Sequence, residues 1–131
     1  MRSVAKRVRL GAIGLLVTVG CSDTVCTLIG CESGVTVHLS AVPSQPFRVE
    51  LGVPGGFNDV LYVFDCTNDA SRCRQDIFFP DLIVDHLVVT VRVGTASRQT
   101  EVTQVVYAHS RPNGPNCGPD CQQANVNAAI P

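Results

Sequence analysis

From residue 35 onward the chain repeatedly alternates apolar and polar side chains. That period suits an extended strand with one dry face and one wet face. "GVTVHLSAV" sets Val35, Val37, Leu39 and Ala41 against Thr36, His38 and Ser40. "FRVELGV" sets Phe47, Val49, Leu51 and Val53 against Arg48, Glu50 and Gly52, and "LVVTVRV" places Leu87, Val89, Val91 and Val93 on one face. "EVTQVVYA" and the closing "QANVNAAI" continue the pattern, the latter with Ala124, Val126, Ala128 and Ile130. No segment carries a helical stripe.

Turn-forming residues separate these runs. "VPSQP", "VPGGFND", "CTNDASRC", "FFPD", "VGTAS" and "RPNGPNCGPDC" supply Gly, Pro, Asn or Asp where the chain must reverse. About seven short strands at this spacing predict an all-β domain, a single antiparallel Ig-like β-sandwich over residues 33–131, with a small barrel as the other closure.

The first twenty residues are of another kind. Arg2, Lys6, Arg7 and Arg9 precede the uncharged "LGAIGLLVTVG", and the first acidic residue is Asp23. A basic start, a short apolar run and a small residue before a cut describe an export signal, expected over residues 1–20. The run is shorter than the ~20 residues of a stable bilayer-spanning helix. Thr18-Val19-Gly20 before Cys21 resembles the lipobox of bacterial lipoproteins, in which the cysteine sulfur receives a diacylglycerol. Thr18 stands where Leu is usual. "LIGC" at Cys31 fits the local pattern better, but an aspartate would then lie in the apolar region. Cys21 is the expected lipidation site and Cys31 the alternative, with residues 21–32 a lipid-anchored tether. Ser22 occupies the position of an inner-membrane retention signal, and Asp23 comes one place too late for it. That sequence favours the outer membrane of the cell envelope.

The chain has seven cysteines. Lipidation of Cys21 leaves Cys26, Cys31, Cys66, Cys73, Cys117 and Cys121 for disulfides. An anchor at Cys31 leaves four thiols, so parity does not choose between the two. Proximity favours the local pairs Cys26/Cys31, Cys66/Cys73 and Cys117/Cys121, with Cys66/Cys73 closing a hairpin between "VLYVFD" and "QDIFF". The rival is a bond from Cys31 to a cysteine of a core strand.

Beyond the leader, six arginines and no lysine face all eleven acidic residues, for a net charge of −5. This excludes nucleic acid as a partner, since such binding needs a basic face. Membrane association therefore rests on the lipid.

The stretches "CTLIGCESGVTVHL", "PFRVEL", "IFFPDL" and "RPNGPNCGPDCQQANV" together resemble a group of small bacterial lipoproteins. The resemblance implies a sandwich similar to transthyretin-like or carboxypeptidase-regulatory-like modules, and it carries no catalytic residue over.

Candidate chemistry is sparse. "CGPDC" has one residue more than the thioredoxin-type "CGPC", and no helix follows to lower a thiolate pKa. "DCTNDASRCRQD" holds Asp65, Thr67, Asp69 and Asp76, but Ala70 and Asp76 stand where an EF-hand needs Gly and Glu. His38, His86 and His109 lie on polar positions of three separate predicted strands, without the close ligand pair of a zinc site. Glu50 and Glu101 form a carboxylate pair only if the fold brings them together. The expectation is a non-enzymatic binding or structural module with no catalytic residue, metal or cofactor. Its partner would be an envelope protein or polysaccharide met through loops or an exposed sheet face. The alternative is a small metal-dependent or redox enzyme using the histidines or Cys117/Cys121.

Overall fold

The computed structural model describes residues 26, 28–55 and 60–131. The expected signal helix and Cys21 lie outside the described residues. Eight strands are present: β1 (Gly34–Leu39), β2 (Phe47–Gly52), β3 (Val60–Asp65), β4 (Asp76–Pro80), β5 (Leu87–Val93), β6 (Ala96–Val102), β7 (Ala108–Ser110) and β8 (Cys121–Ala128). They form two four-stranded sheets, ordered β4-β1-β8-β7 and β3-β2-β5-β6, that pack as a β-sandwich. One 3-10 turn, Ala70–Arg72, is the sole helical element among the described residues.

Alternation explains the core. Val35, Val37 and Leu39 of β1, Phe47, Val49 and Leu51 of β2, and Leu87, Val89 and Val91 of β5 are fully buried. Ile77 and Phe79 of β4 and Ala124, Val126 and Ala128 of β8 close the layer from the other sheet. Each large aliphatic or aromatic side chain so buried contributes about 1.5–3 kcal/mol. The Tyr62 ring meets Phe79 edge-on at 6.2 Å across the two sheets.

The topology departs from the sequence reading in three places. The pairing is not wholly antiparallel, because β1 and β8 run parallel in the middle of their sheet, Gly34 beside Gln123 through Leu39 beside Ala128. β3 and β4 belong to different sheets, so "CTNDASRC" turns a corner between layers instead of closing a hairpin. A corner and a hairpin use the same turn residues, and alternation does not say which sheet receives the next strand. Finally, "EVTQVVYA" is not one strand. β6 ends at Val102 and β7 begins at Ala108, and the intervening residues cross between the sheets. The crossing is fixed by Val105 N–H donating to Asp85 O at 2.8 Å. The Tyr107 hydroxyl accepts from Val84 N–H at 2.9 Å and donates to Val84 O at 3.0 Å.

The registers define two ends. Gly34 lies opposite Pro80 and Gln123, and Ser110 opposite Cys121, so the segment before β1, the β4–β5 connection and the β7–β8 loop share one end. The β1–β2 connection and the Cys66–Cys73 corner lie at the other.

Candidate functional site

A concavity lies on the outer face of β3-β2-β5-β6. Register places Val63, Glu50, Thr90 and Gln99 in one row across the sheet, with Asp65, Arg48, Arg92 and Ser97 in the row beside it. On the other side comes a row with Gly52, Val88 and Glu101. A β-bulge at Leu51/Gly52 shifts β3 here, and Gly52 adds no side chain to the row. The result is a shallow depression of about 470 Å³ with a floor of Gly52 and Val88 and a rim of Glu50, Thr90, Arg92, Gln99 and Glu101.

Its electrostatics centre on Glu50, whose side chain is only 15% exposed. Arg92 Nε donates to Glu50 Oε2 at 3.2 Å. Arg48 Nε lies 2.9 Å from Glu50 Oε1, but its N–H is not aimed along a hydrogen bond. Arg48 also sits 3.8 Å from Asp65. Each Glu50 oxygen is thus ion-paired with an arginine. Glu101 stands on the rim with no ion pair among the described residues. Glu50 and Glu101 do line one depression, on strands separated by β5. Among the described residues the lining is polar and aliphatic, and it offers hydrogen bonds and charge to a polar group.

The histidines are dispersed. His38 on β1 lies opposite Asp76 on β4, and its Nδ1 pairs with the Asp76 carboxylate. Its Nε2 lies 3.3 Å from the Gln75 amide, which also donates to Leu39 O at 2.9 Å. His109 Nδ1 lies 3.6 Å from Asp120, whose other oxygen accepts from Arg111 at 2.8 Å. His86 sits in the bend before β5 and not on a strand, a correction to its expected place. His38 and His109 lie opposite Asn127 and Gln122 of β8, five residues and roughly 16 Å apart along that strand. Among the described residues no three His, Cys, Asp or Glu side chains gather as a metal site.

The acidic turn is committed to its own backbone. Asp65 Oδ1 accepts from Thr67 N–H at 2.8 Å and from Thr67 Oγ1 at 2.5 Å. Asp69 caps the 3-10 turn, accepting from Ser71 N–H at 3.1 Å and from Ser71 Oγ at 2.5 Å. The hydrogen bond from the Thr67 hydroxyl holds the Asp65 carboxyl below its ordinary value, and that from Ser71 does the same for Asp69.

The cysteines overturn two of the three expected pairings. Cys66 bonds Cys73, as proximity suggests. Cys26, however, bonds Cys117, and Cys31 bonds Cys121, across separations of 91 and 90 residues. Cys117 and Cys121 are therefore not partners, and the redox pair that "CGPDC" would need does not exist. The reason is topological. Parallel pairing of β1 and β8 lays the segment before one strand alongside the segment before the other. Asn113 adds to the junction, as do Gln122 N–H to Ser33 Oγ at 3.1 Å and Gln123 Nε2 to Glu32 O at 2.8 Å. From Cys26 onward the expected tether is bonded to the sandwich.

Compared with known protein families, with curated proteins and with solved structures, the chain matches none.

Proposed function

We propose that this protein is a lipid-anchored module of the bacterial cell envelope with a non-enzymatic binding or structural role, its lipid carried by Cys21. The observation that carries the reading is the disulfide pattern. Six cysteines are paired, Cys26 and Cys31 among them, so the odd seventh thiol of the chain is Cys21. An anchor at Cys31 would remove that sulfur from Cys121 and discard Cys26 with the leader. Three disulfides also suit an oxidising compartment. The polar depression around Glu50, Arg92 and Glu101 is the surface proposed to meet a partner, an envelope polysaccharide or protein.

Intact mass of the protein from the membrane fraction, alkylated without reduction, tests the anchor. The expected species begins at Cys21, carries acyl chains and takes no alkyl label. A species beginning at Cys31, or one without acyl chains, overturns it. For the partner surface, titration of the ¹⁵N-labelled protein with soluble envelope glycan should move the Thr90, Arg92, Gln99 and Glu101 amides. Shifts elsewhere, or none, reject glycan binding at that face.

A further inference from the structure

We infer that the stapled end of the sandwich seats directly on the bilayer, with Leu28 and Ile29 entering its interfacial layer. This rests on the lipid anchor proposed for Cys21. Four residues separate Cys21 from Cys26, and five Cα–Cα steps span at most about 18 Å fully extended. The headgroup layer itself occupies roughly 5–8 Å on each side of the hydrocarbon. Cys26 is bonded to Cys117 and Cys31 to Cys121, so that short reach brings the folded domain down with it.

The N-terminal segment presents aliphatic side chains there, with the charged Asp81, Asp85 and Asp120 exposed around them. Leu28 is fully exposed and Ile29 is 55% exposed, while the Ile29 backbone is held by Asn113. Two aliphatic side chains are thus held outward on a segment already ordered, so little conformational freedom remains to be lost on insertion. Ile83, in the β4–β5 connection at the same end, is 49% exposed. The chain beyond the leader is acidic, so attraction to anionic lipid is not the driving term. Insertion of aliphatic side chains beside the acyl anchor is. The Cys66–Cys73 corner then points away from the membrane, about 20 Å from the stapled end along the strands.

The chain has no tryptophan, so one introduced indole reports unambiguously. Full-length lipoprotein carrying Leu28→Trp, or Asn68→Trp at the opposite end, would be reconstituted into phosphatidylcholine vesicles with bromines high on the acyl chains. The expected result is emission from L28W reduced about twofold or more, with N68W unchanged and no dependence on added anionic lipid. A protein that carries acyl chains and floats with vesicles, yet shows no quenching at either position or equal quenching at both, overturns the seating and leaves the anchor standing. Failure to float, with no acyl mass, overturns the anchor reading and this inference together.

Discussion

Asn113 grips the backbone of Ile29 from both sides: its Oδ1 accepts from Ile29 N–H at 3.0 Å and its Nδ2 donates to Ile29 O at 2.9 Å. The same amide donates to Gly118 O at 2.6 Å. One side chain thus does for residue 29 what a neighbouring strand does for a paired residue, and it ties the N-terminal segment to the β7–β8 loop.

Asn113→Ala should therefore free the Ile29 amide without undoing the fold. Each net hydrogen bond contributes about 0.5–1.5 kcal/mol, so loss of the three should cost about 1.5–4.5 kcal/mol. Hydrogen exchange at Ile29 should accelerate while the β1 and β2 amides keep their order of protection. Unchanged exchange at Ile29 would show that the two disulfides alone hold the segment.

The two long-range disulfides should behave as a coupled pair. In the chain-entropy model the first bond over 91 residues is worth about 4.5 kcal/mol. Once it exists, the second closes only a small ring and adds about 3 kcal/mol. Replacing Cys26 and Cys117 by alanine, or Cys31 and Cys121, should each cost about 3 kcal/mol, and replacing all four about 7. Removing Cys66–Cys73 should cost about 2.5 kcal/mol. Urea denaturation of the four variants measures this. Strictly additive losses would mean that the denatured chain does not gain freedom in the manner assumed.

This coupling also shows where sequence reading succeeds and where it stops. β1, β2, β5 and β8 were legible because each carries an apolar face of its own, from Val35 to Leu39 or from Leu87 to Val91. The first half of β6, "ASRQT", has no such face and is a strand because β5 pairs with it. The Cys26–Cys117 and Cys31–Cys121 bonds depend on β1 lying parallel to β8, a relation between the two ends of the chain. One signal did exist: two cysteines five apart before the first strand and two four apart at the start of the last. Reading it requires knowing which strands are neighbours. The Glu50 site was legible only as a list of polar positions, because Arg92 reaches it from 42 residues away.

Gly34 occupies the tightest point of the sheet. Its φ is +156°, and a Cβ there would fall 2.3 Å from Phe79 O on the facing strand. The obstacle is backbone, held by β1–β4 pairing, so it cannot swing aside as a side chain end would. Gly34→Ala should destabilise by about 3 kcal/mol or more, among the severe single substitutions. Gly114→Ala is a useful contrast, with φ +97° but open space around the new methyl, so it is strained without collision. It should cost about 1–2 kcal/mol. Thermal melts compare the two, and equal losses would mean that the approach to Phe79 relaxes.

Three exposed carboxyls should set the acid response of the turns and the stapled end. The Arg111 guanidinium bonded to Asp120 holds that carboxyl below its ordinary 3.8, as the Thr67 and Ser71 hydroxyls do for Asp65 and Asp69. A depressed folded pKa means that the folded state favours the ionised form. The contribution is complete above 3.8 and is lost as pH falls through the lower folded values. Near neutral pH these groups should therefore add no slope to stability. Carboxyl ¹³C titration should give all three midpoints below 3.8, with Thr67→Ala raising Asp65 alone, Ser71→Ala raising Asp69 alone and Arg111→Ala raising Asp120 alone. A midpoint that stays depressed after loss of its hydroxyl or guanidinium would mean that another donor holds the carboxylate.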